Sequence, residues 1–257
     1  MSHFSVAVFT DENTTVEDLL EPYDEGLEVE KYVYMTRNDF IERGKKEIKY
    51  LLEVFGDYMK NKKKFRREHK NNIKYIRFVK KIPRMKRWNK EKIYKFSTRY
   101  YSPDEIDKDG CVYSTYNPNS KWDWYLIGGR WKNMLIDKNG NKTNSAVVSE
   151  IDWDAIKKRD EENIIPYNEY LESLHCSKEK LLKMYPNEEE YKKKMSSFRT
   201  YAAIMPNGEW ISPGQMGWWG ISSASVDEEE KFYNNYEENI LKKVDRNWEL
   251  TIVDCHI

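Results

Sequence analysis

Alternating apolar and polar positions mark both ends of the chain as β-strands. Residues 3–10 alternate and are rich in β-formers, with Phe4 and Val6 on the more apolar face. Residues 249–257 predict a last strand that runs to the terminus. Shorter segments of the same kind predict further strands at 111–116, 122–127, 131–136, 201–205 and 209–211. We expect the glycines at 128–129 to turn the chain so that 131–136 returns as the partner strand of 122–127.

Several segments between these strands carry apolar residues at helical spacing. Ile48 and Phe55 belong to the longest such stripe, which predicts a helix over 38–60. Ser225 can cap another helix that runs to about Val244, since the acidic residues of its first turn favour the helix dipole. The remaining helices are predicted at 14–20, 69–81 and 89–97 and over most of 150–197.

The order of these elements predicts an α+β fold. Helices packed on one face of a mostly antiparallel sheet would bury that face. We expect a ferredoxin-like antiparallel sheet in a single domain over residues 1–257, with large helical insertions at about 38–99 and about 150–197. In that arrangement the first and last strands are antiparallel neighbours. His3 and His256 would therefore lie close together at one end of the sheet.

Composition narrows the class of protein. The 257 residues suffice for a sizeable core, and the charged share of 34% implies a highly charged surface. No apolar run approaches the length of a membrane span and the N-terminus lacks a signal-peptide core, so we expect a cytoplasmic protein with no membrane partner. The three cysteines, Cys111, Cys176 and Cys255, form no CxxC pair. A disulfide framework and a cysteine-rich zinc site are therefore not expected.

Positive charge is concentrated in less than a quarter of the chain. Residues 43–99 hold 22 Lys and Arg against 5 Asp and Glu, a net of +17 in a chain whose total charge is zero. Such segregation bears on binding partners rather than on fold. One alternative is a solvated helical face whose lysines fold back on the acidic remainder. If nucleic acid is the partner, the predicted contacts are Lys62, Lys63, Lys64, Arg66 and Arg67.

The densest aromatic segment is KWDWYLIGGRW at residues 121–131, and a second, GQMGWWG, lies at 214–220. We interpret the two segments as walls of one site. Exposed tryptophans can stack on nucleobases, and a Gly-Gly turn before an arginine can bring backbone N–H groups to an anion. The predicted ligand-binding residues are Lys121, Trp124, Arg130, Trp131, Trp218 and Trp219.

A purely structural interpretation of the aromatic segments also stands. Strand alternation would put Trp122 and Trp124 on one face and Asp123 on the other, so part of this ring surface would be buried. The glycines could serve a hairpin turn at positive φ. In that case Arg130 would pair with Asp123 or with another acid.

Histidines and acids near the strand ends are candidates for acid–base chemistry. Asp254 and His256 share one face of the last strand, and Asp123 and His3 are also available. If the protein is an enzyme, the predicted catalytic residues are Asp123, His256 and His3. Neither HxH nor HExxH spacing occurs, so we predict no metal and no cofactor. The alternative is a histidine hydrogen-bonded at a strand end, and Cys255 lies on the opposite face, where His256 cannot activate it.

Five segments carry a resemblance to a known family. They are HFSVAV at 3–8, YSTYNPNSKWDWY at 113–125, IGGRW at 127–131, GWWG at 217–220 and VDCHI at 253–257. Together they resemble a family of proteins encoded mostly by bacteriophages and prophages. The predicted insertion at about 38–99 carries more lysines in this chain than in the family pattern. The resemblance implies a phage origin and points to no catalytic residue.

Three functional hypotheses follow. The first is a phage-encoded, non-enzymatic binding protein of the host cytoplasm, active in host takeover or against host defence. It would engage a nucleotide or nucleic acid, or a host defence or replication protein, through the Trp/Arg site and the basic helices. The second is a nucleotide hydrolase or nuclease that uses Asp123, Arg130 and His256. The third is an inhibitor whose acidic remainder mimics nucleic acid and fills a host protein's basic groove.

Overall fold

The computed structural model describes residues 2–173, 182 and 185–257, and for Ser173 and Trp218 it describes the backbone alone. The chain divides into two compact units. The first comprises Met1–Leu27 and Tyr116–Ile257, and the second is Glu28–Thr115. The predicted basic insertion at about 38–99 lies within the second unit.

Most strands in the described part of the chain lie where the hydrophobic pattern predicts them. An unpredicted strand covers Glu28–Met35, where charged residues on both faces obscure the alternation. In chain order the strands are β1 (His3–Thr10), β2 (Glu28–Met35), β3 (Val112–Tyr116), β4 (Trp124–Ile127), β5 (Leu135–Ile136), β6 (Lys142–Thr143), β7 (Ser145–Val147), β8 (Ala202–Ile204), β9 (Trp210–Ile211) and β10 (Glu249–His256).

Side-chain caps define where most helices begin. Thr36 and Ser225 each form a capping box, which satisfies free backbone N–H groups of the first turn. The helix predicted to reach Val244 ends at Asn234, because Asn235 leaves helical geometry. The described helices are α1 (Val16–Leu20), α2 (Arg37–Lys60), α3 (Lys62–Glu68), α4 (Ile73–Val79), α5 (Lys90–Ser97), α6 (Trp153–Asn163), α7 (Tyr167–Ser173), α8 (Glu188–Met195), α9 (Val226–Asn234) and α10 (Tyr236–Asn239).

A mixed sheet with the strand order β4-β10-β1-β8-β9 forms the centre of the first unit. β1 and β10 are antiparallel over their full length, from His3 opposite His256 to Thr10 opposite Glu249. β8 runs parallel to β1, so the sheet is mixed rather than purely antiparallel. The predicted α+β class is confirmed. The ferredoxin-like arrangement stays a prediction.

Most of one face of this sheet is apolar. Val6 of β1 and Val253 and Cys255 of β10 are fully buried there, together with Leu20 of α1 and Trp122. Full burial of one such aliphatic side chain stabilises the fold by roughly 1.5–3 kcal/mol. This face therefore anchors both central strands in the core.

The opposite face of β1 and β10 changes character along its length. Phe9 and Ile252 are fully buried against the helical layer. Two residues beyond Ile252 the same face carries Asp254, and then His256 opposite His3. Because alternate residues share a face, the hydrophobic core continues directly into a polar cluster. That cluster lies at the end of the sheet where β10 finishes.

The second unit is built around α2 and α5. Gly44 allows their close approach, since a Cβ atom there would lie 2.7 Å from Cγ2 of Ile93. Phe40, Val79 and Ile82 are fully buried in the same cluster. Across the described ranges of the chain, no helix is both long and apolar enough to span a membrane.

The return strand predicted after the Gly-Gly turn does not pair with β4. Residues Gly129–Trp131 form a 3-10 turn, and β5 pairs with β6 instead. Gly128 and Gly129 have φ of 74° and 47°, so they turn the chain away from the edge of the sheet. The prediction of a β4 hairpin partner at 131–136 is therefore wrong.

Candidate functional site

Two imidazole rings meet edge to face at the end of the central strand pair. His3 and His256 are directly opposite in the β1–β10 ladder, and their ring centroids lie 4.9 Å apart. Nδ1–H of His3 donates to Oδ1 of Asp254 over 2.8 Å. Nδ1–H of His256 donates to Oδ1 of Asp123 over 2.6 Å. Each carboxylate thereby leaves Nε2 as the ring nitrogen that can exchange a proton with a ligand.

Asp254 is the most constrained member of the cluster. It is 2% exposed, and its second oxygen, Oδ2, accepts the backbone N–H of Arg130 over 2.9 Å. Both carboxylate oxygens are therefore engaged, which offsets the cost of burying the group. The backbone N–H of Gly128, which donates to the carbonyl oxygen of Ile252 over 2.8 Å, fastens the Gly-Gly turn to β10.

Gly129 allows this turn to reach Asp254. A Cβ atom at Gly129 would lie 2.4 Å from both Cβ and Oδ2 of Asp254. Its φ of 47° also lies in the left-handed region that disfavours side chains. The Gly-Gly pair thus serves close approach to a buried carboxylate and not a hairpin.

We expect Gly129→Ala to lower the free energy of unfolding by about 1–3 kcal/mol more than Gly140→Ala does. Both glycines have positive φ, 47° and 82°, so both substitutions incur the left-handed backbone cost of about 1–2 kcal/mol. Only Gly129 adds a clash, since nothing lies within 4 Å of a Cβ atom at Gly140. Urea unfolding of the two variants measures the difference. Equal losses would show that the turn can move away from Asp254.

The histidine–carboxylate pairing differs from the one that strand alternation suggests. Asp254 and His256 share a face, but each bonds to a residue of a neighbouring segment: Asp254 to His3 and His256 to Asp123. Residues two apart on one strand point the same way, whereas diagonal cross-strand neighbours lean toward each other. Asp123 is held by its own backbone N–H, which donates to the carbonyl oxygen of His256 over 3.0 Å.

Trp124 covers the imidazole pair from the edge of the sheet. Its ring stacks on His256 with centroids 5.0 Å apart and an interplanar angle of 17°. It also meets His3 edge-on, at 5.3 Å. Trp124 is 45% exposed, and Leu126, opposite Asp254 in the ladder, is 57% exposed. Together they form an apolar surface beside the imidazoles.

Strand alternation predicted that Trp122 and Trp124 share a face, and this prediction is wrong. Trp122 is buried on the opposite face, packs edge-on against Tyr125 and donates its indole N–H to the carbonyl oxygen of Leu20 over 3.2 Å. The chain bends at Asp123 before the β4 ladder begins, so strict alternation does not extend back to Trp122. Trp122 is part of the core, whereas Trp124 faces the site.

The other predicted ligand-binding residues of segment 121–131 have different surroundings. The exposed Arg130 forms no ion pair with any residue in the described part of the chain, and so does not pair with Asp123. Lys121 is half-buried, and its backbone N–H donates to the carbonyl oxygen of Tyr23. Trp131 is half-buried against the core cluster of Phe9, because the 3-10 turn directs it inward.

The second aromatic segment is tied to the start of β1. The backbone N–H of Gly220 donates to the hydroxyl oxygen of Ser2, the residue before His3. Ser2 in turn exchanges two backbone hydrogen bonds of 3.0 Å with Ile257. Trp219, next to Gly220, is 80% exposed and has a φ of 69°. The side chain of Trp218, the other predicted residue here, lies outside the described part of the chain.

The predicted nucleic-acid contacts lie in the second unit. Arg66 donates to the hydroxyl of Tyr58 over 3.3 Å, and Lys64 lies 3.9 Å from Glu68. The Lys64–Glu68 ion pair is exposed and therefore weak. All five predicted basic residues of α3 are exposed, and they are Lys62, Lys63, Lys64, Arg66 and Arg67.

We expect Cys255 to resist alkylation in the folded protein even though it lies between Asp254 and His256. Its side chain is fully buried on the apolar face, and burial raises the pKa of the Cys255 thiol. Mass spectrometry after brief treatment with iodoacetamide checks this, with the partly exposed Cys111 as the internal comparison. Rapid modification of Cys255 in folded protein would contradict its placement on that face.

Among the described residues, no group of three or more His, Cys, Asp or Glu side chains is arranged to hold a metal ion. Comparisons with protein-family models, with curated proteins and with solved structures returned no match for this chain. Function is therefore argued from the chemistry of the site itself.

Proposed function

We propose that this chain is an acid–base enzyme that hydrolyses a phosphodiester bond of a nucleotide or nucleic acid. One observation carries the proposal: two imidazoles, each oriented by a carboxylate at Nδ1, lie edge to face with centroids 4.9 Å apart. Cleavage of an ester needs a base for the nucleophile and an acid for the leaving group. Two adjacent histidines can supply the base and the acid in the same step.

The reaction would consume one water molecule. One imidazole takes a proton from water through Nε2, and the water oxygen forms a bond to phosphorus. The bond from phosphorus to the leaving oxygen breaks, and its electron pair stays on that oxygen. The other ring, protonated at the start, donates a proton to it. The products are a phosphomonoester and an alcohol, nothing is oxidised, and the solvent restores both protonation states.

A phosphate ester suits the charges around the imidazoles. Arg130 lies within the turn whose backbone holds Asp254, and its exposed guanidinium forms no ion pair in the described part of the chain. A guanidinium can bind two phosphate oxygens at once and stabilises the charge that grows on them. The exposed ring of Trp124 provides a surface on which a base can stack. A nucleotide satisfies all of these groups, whereas an uncharged ester would leave Arg130 without a role.

Turnover on a panel of nucleotides, dinucleotides and single-stranded oligonucleotides tests the proposal. We expect His3→Ala and His256→Ala each to lower kcat by about 10²–10⁴-fold. His69→Ala, in the second unit, is the matched control and should keep kcat. Incorporation of one ¹⁸O atom from labelled water into the phosphomonoester would identify water as the nucleophile. Absence of turnover on the whole panel would exclude the proposal.

A binding protein without turnover is the second candidate. It is favoured by the burial of His256, which is 5% exposed and lies under Trp124. In that case the imidazoles would brace an aromatic surface in a phage protein that acts in the host cell. Nucleic acid bound through α3 would then dissociate steeply as salt rises, because phosphate contacts release counterions. Tight binding, this salt dependence and no product together would favour this candidate.

A further inference from the structure

A cavity in the second unit is lined by α2, by the end of α5 and by the two residues that follow Thr98. Its volume is about 380 Å³, toward the lower end of the range of small-molecule sites. The two helices lie close together here, because a Cβ atom at Gly44 of α2 would lie 3.3 Å from Cβ of Ser97. The residues that line the cavity are Arg43, Lys46, Glu47, Ser97, Arg99 and Tyr100.

The charged side chains around this cavity are mostly cationic. Three of the six lining residues are Arg or Lys and one is acidic, so the lining carries a net charge of +2. Lys46 is exposed and forms no ion pair in the described part of the chain. Among the described residues, the guanidinium of Arg43 donates only to the sulfur atom of Met35, over 3.8 Å. Both cations are therefore available to an anion.

The one carboxylate in the lining already has a cationic partner. Arg99 donates to both oxygens of Glu47, over 3.2 and 2.6 Å. Nη1 of Arg99 also donates to the carbonyl oxygen of Phe96 over 2.6 Å, which offsets the negative end of α5. The same guanidinium lies over the rings of Phe96 and Tyr100. Arg99 thus weakens the repulsion that Glu47 and the helix end would exert on an anion.

Ser97 contributes a buried hydroxyl that has no partner. The residue is 4% exposed, and its Oγ forms no hydrogen bond with any residue that the structure describes. A buried hydroxyl without a partner costs free energy, so such groups are uncommon in folded proteins. An anion in the cavity would offer an oxygen atom that accepts this proton.

We propose that this cavity binds a phosphate group, with Arg43 and Lys46 as ionic partners and the hydroxyl of Ser97 as a hydrogen-bond donor. Phosphate oxygens accept from guanidinium, ammonium and hydroxyl groups together. The group belongs to free phosphate or to a phosphate ester such as a nucleotide, whose base would stack on the exposed ring of Tyr100. The proposal does not rest on the proposed reaction, because every residue that it uses lies in the second unit.

Two adjacent lysines provide a matched test with the intact protein. Lys46→Gln and Lys45→Gln each remove one positive charge from α2, but Lys45 pairs with Glu42 and is not among the described residues that line the cavity. We expect Lys46→Gln to raise the Kd for inorganic phosphate about 10-fold. Lys45→Gln should leave that Kd within about 2-fold of the original value. Isothermal titration calorimetry at low ionic strength measures both, and equal effects of the two variants would overturn the proposal.

Ser97→Ala separates a ligand contact from a structural role. Because the hydroxyl has no partner among the described residues, its loss should not lower the unfolding midpoint, whereas the Kd for phosphate should rise about 10-fold. Ser196→Ala is the control, since Ser196 carries the other buried hydroxyl without a partner in the described ranges and lies in the first unit. An unchanged Kd in Ser97→Ala would overturn the proposal.

Inorganic phosphate and adenosine monophosphate distinguish the two sources of the phosphate group. A nucleotide Kd that is lower by roughly 5- to 150-fold, with this advantage lost in Tyr100→Ala, would identify a phosphate ester as the ligand. Equal Kd values would identify free phosphate. Binding of neither probe would overturn the proposal, and it would leave the proposed hydrolysis at His3 and His256 untouched.

Discussion

Replacing Asp254 by asparagine should lower kcat by about 10²–10⁴-fold while the protein stays folded. Asp254 accepts hydrogen bonds from Nδ1–H of His3 and from the backbone N–H of Arg130. An amide has only one acceptor oxygen, so one of these donors would face an NH₂ group. His3 can escape the clash by moving its proton to Nε2, which removes the base that the reaction needs.

The tautomer of His3 can be read directly. In Asp254→Asn, ¹⁵N chemical shifts should show that the proton of the His3 ring has moved from Nδ1 to Nε2. The shifts of the His256 ring should stay unchanged. Asp245→Asn is a suitable control, because Asp245 is an exposed acid that only caps the backbone N–H of Asn247. Loss of stability should stay within about 1–3 kcal/mol, the cost of one poorly satisfied buried polar group. Full activity in Asp254→Asn would mean that His3 takes no part in proton transfer.

Phe9→Ala should lower the free energy of unfolding of the first unit by about 3–5 kcal/mol. Phe9 is fully buried in the helix-covered face of the sheet, next to strand β10. Its removal leaves a cavity between β1 and the helices that cannot collapse without moving the central strand pair. The expected loss is a large part of the stability of an ordinary domain.

Hydrogen exchange measured on β1 and β10 peptides is the suitable readout, because it follows the first unit alone in a chain that holds two compact units. Val147→Ala on the edge strand β7 provides the comparison, because Val147 is 38% exposed. This substitution should lower the free energy of unfolding by less than about 1 kcal/mol. Similar losses for the two variants would mean that the cluster around Phe9 is loosely packed.

The outline of the fold was predictable because its hydrophobic pattern is regular. Residues 3–10 and 249–257 alternate cleanly, and the meeting of His3 with His256 follows from placing them as antiparallel neighbours. The cap predicted at Ser225 likewise marks a real helix start. These features depend on local sequence, which is where periodicity arguments work.

The partners within the site were not predictable in the same way. Alternation suggested that Asp254 acts with His256, but the bonds run across strands to His3 and Asp123. That outcome depends on which strands are neighbours and on a bend at Asp123. The contact between Arg130 and Asp254 involves a backbone N–H, which no side-chain motif records. The one sign of this contact in the sequence was the pair of adjacent glycines, which have positive φ in the structure.

The two carboxylates differ in their access to water, and this makes the imidazole pair asymmetric. The side chain of Asp254 is 3% exposed, whereas that of Asp123 is 40% exposed. Dissolved ions screen an open charge far more than a buried one. Raising the ionic strength should therefore loosen the hold on His256 before it affects His3. The two imidazoles can therefore be told apart in solution, because salt acts first on the more open of the two carboxylate–imidazole pairs.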